Sequence, residues 1–377
     1  MASKTKVLFA TRAMESPPRE GGFVLLSETA TRLSGDKQVS PYMFSASTSA
    51  KNGVIPVKVF SKTGWSPRIK AEFMLGIFNS AQRFDIVHTA HIPTRQNVFM
   101  LKTLTRRARN SGTQFVQTIT GLPSSAKTSG GLKELLWGDH IVCQSWETYA
   151  RVRHLHRSVS LITPWASDKR VRYDARRRMA TRKSLIPGKD KVVVFPGEFE
   201  RLGVDETFGL CLEVFFKDNP DSLVVLACRF DKSGIGQRLS DRFPGRVVSV
   251  GETDGIIELL EAADLVIYPV RKMESKFQPP LVLIEALQLG TPVLASSLIN
   301  IDPSVSGNLS LEQAVENWSS FATEMSRLVK KRHKRTAQDG IQHFQEMVGG
   351  YQQIYVEMHK IAQRLELLRL GSANQTP

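Results

Sequence analysis

The line KFQPPLVLIEALQLGTPVLAS, residues 276–296, sets one carboxylate, Glu285, inside an apolar run. A carboxylate in such company is costly unless it accepts hydrogen bonds. Pro279 and Pro280 stand just ahead of the run. The first turn of a helix tolerates their missing N–H groups, so the spacing predicts a helix that begins near Pro280. Glu285 then falls about one turn inside it. A helix that starts at the carboxyl end of a parallel strand directs its free amides and its dipole at the ligand side of the sheet, and both favour phosphate. A ribose diol supplies two hydroxyl donors for the acid. Diphosphate at the helix entrance and ribose on Glu285 together describe a nucleotide site. A glutamate at a helix edge paired with an arginine is the structural alternative, and both readings stay open at this point.

Such a helix must be positioned by strands, and the chain alternates strands with helices. KVLFAT (6–11) reads as a strand, FVLLSETATRL (23–33) as a helix, and FDIVHTAH (84–91) as a strand. QNVFMLKTLTRRA reads as a helix, and QFVQTIT (114–120) and HIVCQS (140–145) as strands. The pattern restarts at VVVF (192–195), which leads into Pro196-Gly197, and continues through strands at 222–230, VVSVGE, 264–270 and 292–296, with helices between them. Alternation of this kind predicts parallel sheets covered on both faces. After Leu311 the pattern reads as wholly helical, most clearly over 340–370. Two doubly wound units would leave ligands at the carboxyl ends of their strands.

The length of 377 residues fits two domains better than one core. No apolar run approaches the ~20 residues that span a bilayer, and KVLFA is too short for a signal-peptide core. Cys143, Cys211 and Cys228 are odd in number and widely spaced, as free thiols in a reducing cytosol would be. The formal net charge is +15. Thirteen Lys/Arg against three Asp fall between Arg151 and Lys191, and RLVKKRHKR (327–335) is a second basic cluster. Such a belt is either a solvated face or a dock for an anionic surface. A Rossmann dehydrogenase is a weak third reading, since no G-x-G-x-x-G follows the first strand and no acidic residue stands out about 20 positions on.

The segments, in this order, resemble the retaining GT-B glycosyltransferases of family GT4, the glycosyl transferases group 1. The first strand followed by Gly21-Gly22 and a helix resembles that family's glycine-rich loop. DIVHTAHIP (85–93), FVQTITGLP (115–123) and WGDHIVCQS (137–145) resemble its next strands. VVVFPGEFERLG (192–203) resembles the start of its donor domain. DGIIELLEAADLVIYPV (254–270) and PPLVLIEALQLGTPVLAS resemble the elements around its signature. The resemblance implies an α/β GT-B fold: two doubly wound Rossmann-like domains facing across a cleft, with a C-terminal helix crossing back to the first. The boundaries expected are 1–164 for the acceptor-side domain, 165–190 for a basic linker, 191–339 for the nucleotide-sugar domain and 340–377 for the returning helix. Three departures stand out. Phe277 occupies the position of the first signature glutamate, which the family associates with the transferred sugar. Pro280-Leu281 replaces the family's Gly-Leu pair, and the loop after VVVF lacks the usual Arg followed by Lys-Gly.

By resemblance the reaction is transfer of a sugar, with retention, from a nucleoside-diphosphate sugar (UDP or GDP) to a hydroxyl acceptor. Charge develops on the bridging oxygen of the leaving diphosphate, and cations or helix-end amides aimed there stabilise the transition state. Arg201 is the first candidate cation, Lys276 the second and Arg229 a third. Gly197 and the backbone near Leu281 complete the cradle, with Glu285 on the ribose. Gly21 and Gly22 allow close backbone approach. His91, at a strand end, would orient the sugar or the acceptor hydroxyl. Each of these residues has a bland reading as a surface cation, a turn or a satisfied histidine. No cofactor beyond the donor and no metal is expected, since the sequence offers no clustered Asp/His ligand set. The first expectation for the acceptor is a glycolipid or a polysaccharide/lipopolysaccharide precursor, handled in the cytoplasm with peripheral contact of the basic belt at the membrane's inner face. The alternatives are hydroxylated bases of DNA, and a catalytically silent sugar-nucleotide-binding protein.

Overall fold

The computed structural model describes residues 4–11, 21–47, 53–62, 66–123, 126, 128–185, 190–229, 231–271, 280–296, 311–314, 317–331 and 340–373. The chain divides into one unit of residues 1–164 with 344–377 and another of residues 165–343.

The first unit is built on a seven-stranded parallel sheet. Its strands are β1 (Thr5–Phe9), β2 (Val39–Ser45), β3 (Ile55–Lys58), β4 (Ile86–His91), β5 (Gln114–Ile119), β6 (His140–Cys143) and β7 (Val159–Leu161). They lie in the order β3-β2-β1-β4-β5-β6-β7. The helices α1 (Gly21–Leu33), α2 (Pro67–Ser80), α3 (Arg95–Asn110), α4 (Ser129–Glu134) and α5 (Trp146–Val152) connect them. Leu8, Val87, Phe115 and Ile141 are fully buried, as strands covered on both faces require. Ser66 caps α2 and Thr94 caps α3, each side chain accepting from an amide three residues on.

The second unit opens with α6 (Ala175–Leu185) and holds a six-stranded parallel sheet. Its strands are β8 (Lys191–Gly197), β9 (Ser222–Cys228), β10 (Val247–Ser249), β11 (Leu265–Tyr268), β12 (Val293–Ser296) and β13 (Leu311–Ala314), in the order β10-β9-β8-β11-β12-β13. Between them run α7 (Phe199–Leu202), α8 (Phe208–Asp218), α9 (Ile235–Arg242), α10 (Ile256–Ala262) and α11 (Leu281–Gln288), and α12 (Trp318–Lys330) follows β13. α13 (Gly340–Ala373) ends the described chain.

The α/β class and the doubly wound Rossmann-like sheets agree with the sequence reading. One correction concerns β13. LEQA was expected in a helix, yet it pairs in parallel with β12, Val293 opposite Leu311. Four residues at the edge of a sheet are too few for periodicity to tell a strand from a helix turn. The stretch 165–190, expected as a linker, packs within the second unit. Arg177 pairs with the buried Glu261, and Arg178 and Arg182 both reach Asp264 at 2.8 Å. α6 is thereby fastened to the α10–β11 corner.

The chain passes from one unit to the other at residues 164–165 and returns at 343–344. Trp165 and His343, the two second-unit residues at these crossings, stack with ring centroids 4.5 Å apart.

Candidate nucleotide-sugar site

In each sheet the strand order reverses once, at β1/β4 and at β8/β11. Open α/β sheets bind ligands at such reversals, outside the carboxyl ends of the strands. The candidate residues gather there.

In the first unit, Gly21 and Gly22 are the opening residues of α1, the helix that follows β1. Their amides belong to the helix turn that lacks intrahelical partners. The loop before them, 12–20, lies outside the described residues. His91 is the last residue of β4, opposite Ile119 of β5. Its Nε2 is shut from solvent and meets no hydrogen-bonding partner among the described residues. Burial pushes its pKa down to about 4, so the ring is neutral at physiological pH. His88, three residues earlier and so on the opposite face of the strand, is structural. Nδ1 lies 2.6 Å from the Tyr355 hydroxyl and Nε2 2.7 Å from Thr118 Oγ1.

In the second unit, β8 ends at Gly197. A Cβ there would stand 2.7 Å from Leu202 Cδ1 of α7, so a side chain at this position would require that leucine to shift. Arg229 follows β9, and its amide donates to the Gly197 carbonyl at 2.9 Å. Glu198, only 8% exposed, binds both candidate arginines: Oε2 is 3.0 Å from Arg201 Nε and Oε1 3.1 Å from Arg229 Nη2. Arg201 is largely exposed, Arg229 much less so. Glu252 lies 3.9 Å from Arg229 on the other side. The structure thus brings Arg201 and Arg229 together, but around a carboxylate that sequence reasoning had not weighed. The Glu-x-x-Arg spacing of Glu198 and Arg201 was the available signal. The amide of Arg271 donates to Leu202 O at 2.8 Å and ties this loop to the chain leaving β11. Lys276 and Phe277 lie outside the described residues.

Pro280 is the N-cap of α11, with Leu281 as the first helical residue. α11 is buried almost throughout, Glu285 and Gln288 included. Glu285 Oε1 accepts from Arg170 Nε at 2.7 Å. Gln288 exchanges two hydrogen bonds of 3.0 Å with the backbone of Ala166. The arginine pairing that the sequence left open is therefore present. Burial raises the Glu285 pKa, and the charge and hydrogen bond of Arg170 oppose that rise. Arg170 lies 115 residues away in the sequence, so no local spacing announced it. After α11, Gly290 takes φ 69° and Thr291 Oγ1 donates to Leu260 O at 2.8 Å. The Gly-Thr-Pro turn is thus a helix stop locked to α10. Among the described residues, no group of three or more His, Cys, Asp or Glu is arranged to hold a metal ion.

Residues 190–331 match the family model described as glycosyl transferases group 1. No curated protein matches the chain. Several solved structures share the fold at low identity. A sucrose-phosphate synthase from Thermosynechococcus elongatus is 16% identical with TM-score 0.67, over 97% of this chain and 100% of that one. HepE of Anabaena, solved with UDP and glucose, is 14% identical with TM-score 0.64, over 98% and 100%. A glycosyltransferase from Rickettsia africae is 14% identical with TM-score 0.65, over 95% and 99%. The fold is that of GT-B glycosyltransferases.

Proposed function

We propose that the protein is a glycosyltransferase that moves a sugar from a UDP-sugar to a hydroxyl acceptor. The observation that carries this is the family match over 190–331, the unit whose strand reversal gathers Gly197, Arg201 and Arg229. The solved relative that holds UDP and glucose supports UDP as the nucleotide.

In this reading the diphosphate rests against the amides at the start of α11 and the arginines beside β8. Charge that builds on the bridging oxygen as the glycosidic bond breaks is met by those fixed groups. Glu198 holds both guanidinium groups in place and offsets part of their charge until the diphosphate arrives. Glu285 receives the ribose hydroxyls while it keeps its bond to Arg170. Lys276 supplies a further cation, and no metal is required. His91, neutral and with Nε2 unpartnered among the described residues, accepts from or donates to a hydroxyl of the sugar or acceptor. The configuration at the anomeric carbon is retained. The acceptor is a glycolipid or a polysaccharide precursor.

A second reading keeps the fold without turnover. It is favoured by Glu198 and Arg170, since Arg201, Arg229 and Glu285, the candidate charges among the described residues, already have protein partners. A DNA acceptor is less favoured. Arg177, Arg178 and Arg182 of the basic belt are engaged with acids of their own unit.

A thermal-shift panel of UDP-, GDP-, ADP- and dTDP-sugars tests the donor. A UDP-sugar at about 100 times its Kd should stabilise the protein by about 2.7 kcal/mol, with or without EDTA. Slow release of free sugar from that donor without acceptor identifies an active enzyme. Binding without any hydrolysis or transfer favours the silent reading. No shift with any nucleotide sugar refutes both.

A further inference from the structure

The first unit carries a surface that the donor reading does not use. α2 and α3 pack against each other, and both send Ile69, Ile77, Val98 and Leu101 into one core. Their outward faces are not ordinary solvated faces. On α2, Leu75 and Phe78 are 57% and 43% exposed. On α3, Phe99 is 72% exposed, and Met100 stands beside it. A single exposed apolar residue needs no explanation, but four large ones on two helices that pack against each other are more than scatter.

The charges of α3 have one sign. α3 carries Arg95, Lys102, Arg106, Arg107 and Arg109 and no acid. Arg95 and Arg109 are paired with Glu134 and Asp139. Lys102, Arg106 and Arg107 pair with no acid among the described residues. Helical spacing sets Arg106 and Arg107 two turns beyond Phe99 and Met100, on the same outward face. The one acid of α2, Glu72, is held by Arg68 and Ser61.

We propose that this α2–α3 face is where the protein docks on a lipid bilayer that carries anionic headgroups. Apolar side chains proud of a helix surface and flanked by Lys and Arg that meet no acid among the described residues suit the headgroup–acyl boundary. The rings enter the apolar layer while the cations stay at the phosphates. A nucleic acid would use the cations but give Leu75 and Phe78 no apolar partner. A protein partner would have to present acids around an apolar centre. The bilayer meets both requirements over a broad face. The proposal stands apart from the donor reading and differs from the basic-belt contact expected of residues 151–191.

The test is flotation of the full chain with phosphatidylcholine vesicles, with and without phosphatidylglycerol. One variant combines Leu75→Ser, Phe78→Ser and Phe99→Ser. A second combines Lys102→Glu, Arg106→Glu and Arg107→Glu. All six positions are exposed, so thermal melts should remain cooperative, and UDP-sugar shifts should be unchanged. The expected result is that wild type floats with anionic vesicles, less so as salt rises. Each variant should lose about tenfold or more in partitioning. The proposal is overturned if wild type does not float or if the apolar variant floats as well as wild type. It is equally overturned if the substitutions change only the oligomeric mass in light scattering, which would make the face a contact between copies. Flotation without nucleotide-sugar binding would keep this inference and refute the donor reading.

Discussion

Glu285 shows how one residue can satisfy two descriptions. Its burial makes a lone carboxylate costly, and Arg170 offsets part of that cost with one short bond, while burial still holds the pKa above its ordinary value. The expense of an interior acid was legible in the sequence; its partner was not, because the contact spans 115 residues. Glu198 was likewise hidden, although its arginines were not. His88 gives a prediction at this scale. It is fully buried, and burial holds its pKa at about 3, against an ordinary 6.5. The unfolded chain binds a proton below pH 6.5 that the folded ring refuses. Stability is therefore complete above pH 6.5 and falls as the pH drops toward the folded value. At about pH 5 this one ring should cost about 2 kcal/mol. Urea unfolding of wild type and His88→Asn checks it: the difference between the two stabilities should shrink by about that amount on going from pH 7 to pH 5. Parallel pH curves would place the acid sensitivity elsewhere.

At the scale of elements, the sequence displayed what is buried on both faces and concealed what is not. β1, β4, β8 and β9 read as apolar runs because helices cover them on either side. β2, β3 and α2 passed unread. VSPYMFS and IPVK each contain a proline, and β3 is a half-exposed edge strand. β13 was misread because its four residues are too few for periodicity to tell a strand from a helix turn. α13 was legible through its apolar spacing, but the partners of that face were not. Tyr351 and Tyr355 are both fully buried, and the Tyr355 hydroxyl meets the Nδ1 of His88 on β4. The helix thus completes the core of the first unit. A chain ending at Asp339 should leave β4 and β5 poorly protected in hydrogen exchange, while β8 and β9 keep their protection. Equal protection of both sheets would show that the helix is dispensable to the first.

At the scale of the whole molecule, the two doubly wound units were legible as a repeated pattern, and the fold class follows from it. The charge of +15 was visible too, yet its use was not. Part of the basic belt turns inward, where Arg170, Arg177, Arg178 and Arg182 fasten the first residues of the second unit to α10, β11 and α11. Composition counts such arginines as free surface charge, whereas only tertiary contacts reveal which are engaged. The central claim is that the second unit holds a nucleotide sugar with Glu285 on its ribose. Calorimetric titration of a UDP-sugar into wild type and Glu285→Gln, with thermal melts alongside, tests it most directly. The account predicts clear binding by wild type and about tenfold or weaker binding by a variant that still melts cooperatively, a loss of about 1.4 kcal/mol. Undiminished affinity in that folded variant, or no nucleotide-sugar binding by wild type, would contradict it.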